Sequence, residues 1–540
     1  MGQGHLLCWK TSHPAEQPTA PNACLTRVQR LERWSIPMPS KPLLSQHPEL
    51  SAVRVYLIGL ALGCATGVDF WASAMMGVAG THIRGGVHAS PEDFLWALTS
   101  YAAAAVVANL MLRRLAHDIS YRGFTTAGLV IAAAGAALCA ASRNPLELAL
   151  ARAVQGFGAG GLFAASRIII QLAAAREERR PLFIGFTFGS MGLPAAAPWV
   201  TAQLVESADW QMVFVLQAAI ALVTLLFVLA TYPPRLTRTL APWDVDYHAM
   251  DWVTVVLFGV GSLVLLHGLG DLRFYELASS PSVAMTPIVG VAFFVVGFIH
   301  LHRHPDPWLD PRLLLGRRFL IGLSFYAIYY LLSGLWTYVV STMLQNGLGF
   351  TFQTTGTVLS TTSVLGFTAA AAFTLWGTGL PGARRYIALG YLIFAAAAWL
   401  LSQRMMPGAS IEVILPVLVM QSLTLPFVLL LVAGLTWADF SVDDFAHGYQ
   451  FKNIVRQIAS AAGTGLASLW LQYDEVIART QLVASVTPFD FHGIEPAELA
   501  RLSRLIDQQA TLIGTSNLLV LLAFACGVIA VVAITQRTLK

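Results

Sequence analysis

The stretch LALARAVQGFGAGGLF, residues 148–163, places one arginine and one glutamine in an otherwise apolar run. A charged side chain inside a membrane span is costly, so Arg152 is a candidate functional residue by default. The segment 156–161, GFGAGG, also fits the G-x-G-x-x-G fingerprint of dinucleotide-binding proteins. That fingerprint follows a strand and opens a helix. Because this run is apolar and helical in character, the sequence argues against nucleotide binding.

The composition of the whole chain agrees with a membrane protein. Apolar and aromatic residues make up 56% of the 540 residues, and charged residues only 11%, where a soluble protein carries about 25%. The net charge is +4 and the basic residues fall in short clusters, so we expect no nucleic-acid partner. The five cysteines have no paired spacing. We expect no metal, no cofactor and no enzymatic activity, and the lipid bilayer as the solvent.

Fourteen apolar runs follow residue 52, each near the 20 residues that cross a hydrocarbon core of roughly 30 Å. The predicted fold is therefore an all-α integral membrane protein with 14 transmembrane helices. The runs cover 53–76, 94–112, 124–142, 147–172, 182–204, 211–231, 252–270, 283–301, 319–343, 354–376, 386–402, 411–437, 452–472 and 512–535. An even number of spans puts both ends of the chain on one side of the membrane.

The spans group as six, two and six, which is typical of a transporter with two related halves and a site between them. The predicted parts are a disordered cytoplasmic tail at 1–52, a six-helix bundle at 53–231, a linker with two extra helices at 232–310, and a second six-helix bundle at 311–540 with an outside segment at 473–511. Within the tail, Met38 would serve equally well as a start, so the sequence leaves open whether residues 1–37 belong to the native protein.

Arginine is concentrated in alternate loops, and cytoplasmic loops carry the excess of basic residues. We therefore expect both termini in the cytoplasm and a multi-pass position in a bacterial inner membrane. The basic loops hold Arg113, Arg114 and Arg122; Arg176, Arg179 and Arg180; Arg235 and Arg238; Arg303, Arg312, Arg317 and Arg318; and Arg384 and Arg385.

Asp69 is the only carboxylate deep inside a predicted span. A carboxylate in a low-dielectric site is easier to protonate, and a nearby arginine opposes this. Asp69 is therefore a candidate proton carrier, and Arg152 a candidate switch that approaches it in one conformation and withdraws in the other. The alternative is a static ion pair that fixes helix packing.

Three further polar residues lie near the inner ends of predicted spans. Arg456 and Asn453 begin the thirteenth span and are possible functional residues. Arg167 ends the fourth span, where we expect its side chain to extend to the inner headgroups.

The fifth span reads GFTFGSMGLPAAAPWV at 185–200 and contains Gly189, Gly192 and Pro194. Glycines at four-residue spacing permit close helix approach, and proline permits a bend. The span is either a pliable gating helix or a site of close packing.

Together these motifs resemble the major facilitator superfamily, and within it the fourteen-spanner drug:proton antiporters of the EmrB/QacA type. In LALARAVQGFGAGG, the residues Arg152, Gln155, Gly156 and Gly158 match the family's fourth-span pattern l-x-x-x-R-x-x-q-G-x-g. Asp69 matches the first-span aspartate, Trp96 and Tyr101 match W-x-x-x-x-Y, and Asn453 with Arg456 matches N-x-x-R-q. The loop RRLAHDISYR at 113–122 resembles the family's gating loop, with Arg114, His117 and Arg122 at motif positions.

The chain departs from the family at two places. His117 takes the usual aspartate position of the gating loop, and Ser120 the usual glycine. The fifth-span antiporter motif keeps Gly189 and a shifted proline but loses its glycine pair. These departures bear on the control of the inner gate and on the direction of transport.

The resemblance implies a proton-coupled exporter of small amphipathic organic compounds or drugs. An uptake symporter on the same fold and a non-transporting receptor or assembly subunit are the alternatives. Protons and an amphipathic small molecule are the expected partners. Relatives of this type also work with a periplasmic membrane-fusion adaptor and an outer-membrane channel. Segment 473–511 is either a docking surface for these partners or a simple solvated loop. The sequence leaves substrate, stoichiometry and oligomeric state open.

Overall fold

A computed structural model describes most of the chain after the tail. The described residues are 52–173, 179–207, 209–232, 251–275, 280–304, 307–376, 383–432, 444–486 and 496–536. Within these ranges every regular element is a helix. The predicted tail, apart from residue 52, and part of the predicted linker lie outside them, as do residues 487–495 of the predicted outside segment.

The first seven helices of the described chain lie within the residues predicted for the first bundle. They are α1 (Ala52–Gly86), α2 (Pro91–Ala141), α3 (Pro145–Gly160), α4 (Leu162–Ala173), α5 (Arg179–Ala195), α6 (Ala197–Ser207) and α7 (Gln211–Thr231).

Two helices follow in the predicted linker, α8 (Trp252–Asp271) and α9 (Pro281–Arg303). The remainder consists of α10 (Pro311–Leu314), α11 (Arg317–Thr342), α12 (Phe352–Trp376), α13 (Ala383–Arg404), α14 (Ile411–Ser422), α15 (Asp444–Ala484) and α16 (Pro496–Thr535), with short π-helical segments at Met343–Gly347 and Pro426–Leu430.

Eleven helices of the described chain are long and apolar enough to cross a membrane. The helix α2 covers both the second and the third predicted span. The fifth predicted span is divided between α5 and α6, which have 17 and 11 residues, and the thirteenth lies on the more polar α15. The all-helical membrane fold is confirmed, and the count of fourteen spans stays a prediction.

The helix α2 reverses direction at Ser120. Its 51 residues would extend about 77 Å if straight, more than twice a hydrocarbon core. Yet the backbone of Tyr101 lies against Gly156, and Gly135 lies against Gln155, on the same turn of α3. Both contacts require the chain to fold back between residues 101 and 135. Ser120 has non-helical dihedrals there, φ 71° and ψ 160°.

Apolar side chains form separate cores in the first part of the chain, which consists of α1 to α7, and in the second part, which consists of α10 to α16. One core joins α1, α2, α4, α5 and α7 and includes Phe445 and Tyr449 of α15. Another joins α11, α13, α14, α15 and α16. The helix α15 therefore belongs to the second part but reaches into the first, which places the side chains of its first turns at the contact between the parts.

Candidate functional site

The carboxylate of Asp69 lies at the centre of this contact. Its side chain is fully buried on α1. It accepts a hydrogen bond from the Tyr101 hydroxyl of α2 at 2.7 Å and forms an ion pair with the Arg456 guanidinium of α15 at 2.6 Å. The Gln457 amide lies 3.3 Å away. A charge of the first part is thus held directly by a charge of the second.

Arg456 is oriented by the amide beside it. Its Nε donates to Asn453 Oδ1 at 2.6 Å, as residues three apart share a helix face. The Asn453 amide in turn donates to Asn109 Oδ1 at 2.6 Å and to the Gly160 carbonyl at 2.9 Å. This chain of hydrogen bonds anchors α15 to α2 and α3 and fixes where the guanidinium points.

Arg152 does not contact Asp69 in this conformation. It donates to Gln155 Oε1 at 2.6 Å and to the Ala97 carbonyl at 3.4 Å, and its guanidinium lies 4.1 Å from the centre of the Tyr101 ring. Tyr101 therefore separates Arg152 from Asp69. The arginine paired with Asp69 is Arg456, and an approach of Arg152 in another conformation stays a prediction.

The glycines of the fourth-span motif serve close packing. Gly156 lies against the backbone of Tyr101 in the first arm of α2, and Gly158 lies against Ala132 in the second arm. A side chain at either position would overlap backbone atoms. These glycines bring α3 between the two arms and so place Arg152 over the Tyr101 ring.

The predicted gating loop lies apart from Asp69, at the turn of α2. Arg114 and His117 both contact Asp118, at 3.7 and 3.2 Å. Arg122 donates to the Tyr232 carbonyl at 2.9 Å, which ties the turn to the end of α7. The structure brings Arg114 and His117 together at Asp118 and places Arg122 beside the end of α7, and none of the three contacts the central ion pair.

The inner end is the end that the loop charges predict to face the cytoplasm. There Arg113 contacts His447, and Gln450 donates to the Asn109 carbonyl at 3.0 Å. His447 precedes the predicted thirteenth span. Burial, reinforced by the charge of Arg113, lowers the pKa of His447 well below its usual value of 6.5. Neutral His447 is therefore part of the contact between α2 and α15.

At the opposite end, α6 contacts α12. The Trp199 backbone N–H donates to the Ser360 hydroxyl at 2.8 Å, and that of Gln353 donates to the Glu206 carboxylate at 3.1 Å. The two parts of the described chain thus meet at both ends as well as at Asp69. This enclosure accounts for the burial of the central charges.

The fifth-span residues fall into two groups. Gly189 packs directly against the α1 backbone at Gly63 and Cys64, whereas Gly192 faces the Phe367 ring of α12 at ordinary contact distance. Pro194 lies just before the break that separates α5 from α6. Close packing therefore describes Gly189, while Gly192 and Pro194 lie where the span bends near the second part.

The structure corrects the predicted position of the Arg167 side chain. Its guanidinium donates to the Tyr449 hydroxyl at 2.8 and 3.1 Å and lies 4.6 Å from the Phe183 ring. The prediction that it reaches the headgroups is therefore wrong, because this face of α4 meets α15.

Asn109 and Lys452 also belong to the site and were not predicted. The polar run QFKNIVRQ at 450–457 was the available signal for Lys452. Among the described residues, no group of three potential metal ligands occurs.

Comparisons with known proteins agree with this architecture. The sequence pattern of the Major Facilitator Superfamily matches residues 62–464. The chain therefore belongs to the major facilitator superfamily, a family of membrane transporters, and is a multi-pass membrane protein.

Its relatives include proteins named for drug resistance. The probable multidrug resistance protein EmrY of Escherichia coli K12 is 21% identical over 88% of this chain and 94% of that protein. The colistin resistance protein EmrB of Acinetobacter baumannii is 22% identical over 75% of this chain and 78% of that protein. A solved bacterial homologue of the human drug peptide transporters is 14% identical, with a TM-score of 0.58 over 90% of this chain and 98% of that one, and supports the fold alone.

Proposed function

We propose that this protein is a proton-coupled secondary transporter that exports small amphipathic organic compounds across the inner membrane. The full-length similarity to EmrY, a probable multidrug resistance protein, supports the substrate class and the direction. One observation supports the proposed coupling of transport to protons: buried Asp69 of the first part is ion-paired with Arg456 of the second.

This pair can couple protonation to movement of the two parts. With Asp69 ionised, the pair and the Tyr101 hydrogen bond hold α1, α2 and α15 together. Protonation removes the negative charge and leaves the Arg456 guanidinium buried without its counter-charge, which is unfavourable in a low-dielectric site. The protonated protein therefore favours a conformation in which α15 separates from α1. If the proton favours one conformation and the substrate favours the other, switching between the two conformations exchanges a proton for a substrate molecule.

The proposal includes the orientation and the partners. Both termini face the cytoplasm, so that the contact between Arg113 and His447 closes the inner end. A periplasmic adaptor and an outer-membrane channel complete export. The outside segment 473–511 is their candidate docking surface, and its described residues include an exposed ion pair between Arg479 and Asp507.

The test is accumulation of a panel of fluorescent and toxic amphiphiles in an efflux-deficient bacterial host. The intact protein is compared at equal expression with Asp69→Asn. Glu412→Gln is the matched control, because it also replaces a carboxylate by the corresponding amide, but at an exposed position in the first turn of α14. We expect lower accumulation with the intact protein and the control. Both the Asp69→Asn substitution and collapse of the proton gradient should abolish the difference.

Three other results would refute the proposal. Higher accumulation with the intact protein would indicate an uptake symporter, the second candidate, which the loss of the glycine pair from the fifth-span motif favours. Export that persists in Asp69→Asn would move the coupling to another group. No change for any compound, even with an adaptor present, would favour a receptor or assembly subunit.

A further inference from the structure

The last turn of α8 carries a histidine and a carboxylate that the central site does not use. His267 and Asp271 are four residues apart on this helix, and His267 Nε2 lies 3.3 Å from Asp271 Oδ2. Their side chains are 13% and 26% exposed, so both are mostly covered yet remain accessible at the helix end. The loop charges predict that this end faces outward.

Two side chains of α2 complete the surroundings of His267. The Trp96 ring lies against the imidazole, with the ring centroids 3.7 Å apart and the planes inclined by 32°. Thr99 Oγ1 lies 3.5 Å from Nδ1 of the same imidazole. Close by, Gly270 packs against the Leu95 side chain. His267 is therefore a direct contact between α8 and the first part of the chain.

These partners together are satisfied by one additional proton. Thr99 Oγ1 donates its single hydrogen to the Leu95 carbonyl at 3.0 Å, so it presents a lone pair to Nδ1, which must then carry a hydrogen. A second hydrogen is needed between Nε2 and the Asp271 carboxylate, on either of the two, because facing lone pairs repel each other. A neutral imidazole beside an ionised carboxylate has only one hydrogen for both positions.

The additional proton strengthens the contact between α8 and α2. Without it, one imidazole nitrogen faces a lone pair, or the Thr99 hydroxyl gives up its bond to the Leu95 carbonyl. When the proton resides on the imidazole, the cation also attracts the face of the Trp96 indole. The pair of His267 and Asp271 therefore binds α8 to α2 more strongly when it holds the proton.

The other charged groups around the pair are few. Arg273, just beyond the end of α8, opposes binding of a proton by its positive charge, and it forms a hydrogen bond with Tyr338 of α11. Glu92 and Asp93, in the first turn of α2, favour a proton by their negative charge. The neighbouring stretches of α9 and α15 contain no charged side chain at residues 281–299 and 457–473.

The helix α8 is in contact with both helices that hold the central carboxylate. On α2, Tyr101, which donates to Asp69, is only two residues beyond Thr99. On α15, Gly465 faces the last turn of α8 at ordinary contact distance, nine residues beyond Arg456. A change in how firmly α8 is bound to α2 therefore acts on the helices that must move apart when the central pair separates.

We propose that His267 and Asp271 form a second proton-binding site, which takes its proton from the outer side and thereby binds α8 to α2. Its role rests on the proposed transport function: the proton regulates, through α2 and α15, how readily the pair of Asp69 and Arg456 separates. The site is regulatory because it lies at one end of a span. It also gives a function to α8, one of the two helices between the bundles.

The test of the site is a pH titration of the purified full chain with isotope-labelled histidine rings, followed by NMR and made without any substrate. The His267 signals are those that His267→Gln removes. We expect them to change in one step over the range of about pH 5 to 8 in which histidines titrate. In Asp271→Asn the step should be lost from this range, because the asparagine amide donates to Nε2 and no additional proton is needed.

Two variants control this titration. Glu412→Gln makes the same kind of change at an exposed carboxylate of α14 and should leave the step unchanged. Asp271→Glu keeps a carboxyl group and should retain a step, which separates loss of the proton site from loss of folding. The inference is overturned if the His267 signals of the intact protein do not change over this range, or if Asp271→Asn shows the same step.

Transport in sealed vesicles tests the regulatory role separately. With the same pH on both sides, exchange of a labelled for an unlabelled compound, chosen from the accumulation panel, should vary with pH in the intact protein. It should vary less in His267→Gln, and an identical pH profile would overturn the regulatory role. Absence of exchange in the intact protein for every compound would refute the proposed function, while the NMR titration would still decide whether the proton site exists.

Discussion

Replacing single glycines in α5 separates its packing role from its bending role. In Gly189→Ala the new Cβ would lie 2.5 Å from the Leu60 carbonyl oxygen and 2.6 Å from the Gly63 carbonyl carbon, where ordinary contact begins at 3.4 Å. These are backbone atoms, so α1 and α5 must move apart by close to an ångström. Overpacking of this kind costs about 1–3 kcal/mol.

Gly192→Ala is the matched control in the same helix. Its Cβ would lie 3.6 Å from the Phe367 ring, an ordinary contact with a side chain. The strain is absent, and the higher helix propensity of alanine contributes up to about 1 kcal/mol. We therefore expect Gly192→Ala to be as stable as the intact protein or slightly more stable.

The assay is the apparent melting temperature of the purified protein in one detergent, measured for the intact chain and both variants at one heating rate, since unfolding of such proteins is a rate-dependent process. Gly189→Ala should melt below the other two. If the two variants lose the same stability, or Gly189→Ala loses none, the close-packing account of α1 and α5 is wrong. A transport defect in Gly192→Ala without loss of stability would instead support a gating role for the bend.

Three further predictions concern the turn of α2 and the inner end. Ser120→Gly should raise the melting temperature, because the observed dihedrals cost a non-glycine residue about 1–3 kcal/mol. The substitution also removes the hydrogen bond from the Gly123 N–H to Ser120 Oγ, which contributes about 1 kcal/mol. A lower melting temperature would contradict the strained turn. His447→Gln should flatten the pH dependence of stability. Because the pKa of His447 is lowered in the folded protein, the unfolded chain binds a proton at a higher pH than the folded one does. The stability that is present above pH 6.5 therefore declines as the pH falls below that value. An unchanged pH profile would exclude this role for the contact with Arg113. Asn453→Ala should cost about 1–3 kcal/mol, because its two buried side-chain partners lose a hydrogen bond, and equal stability in urea-monitored unfolding would count against the anchoring network.

The central aspartate could be found from the sequence because one property marks it. A carboxylate inside an apolar span stands out by composition alone, and Asp69 needed no structure to be noticed. Its partner could not be found in this way. Arg456 lies 387 residues further along the chain, and hydropathy identifies spans without showing which helix faces meet.

The same limit explains the other differences. Arg167 and Lys452 lie near predicted span ends, where a basic residue ordinarily reaches the headgroups. The structure turns both toward the interior of the protein, because the first turns of α15 pack between α2 and α4. By contrast, the turn at Ser120 was visible as a departure from a family glycine, since backbone conformation is specified locally.

The most direct test of the coupling is made in sealed vesicles that contain the purified protein and a transported compound. An imposed pH gradient should drive accumulation by the intact protein. In Asp69→Asn the gradient should drive none, while exchange of labelled for unlabelled compound should continue, since the neutral amide of this variant mimics a permanently protonated carboxyl group. Loss of both activities in the variant would show that Asp69 is required for conformational change itself. Accumulation driven by the gradient in Asp69→Asn would contradict the account that the pair of Asp69 and Arg456 couples proton entry to transport.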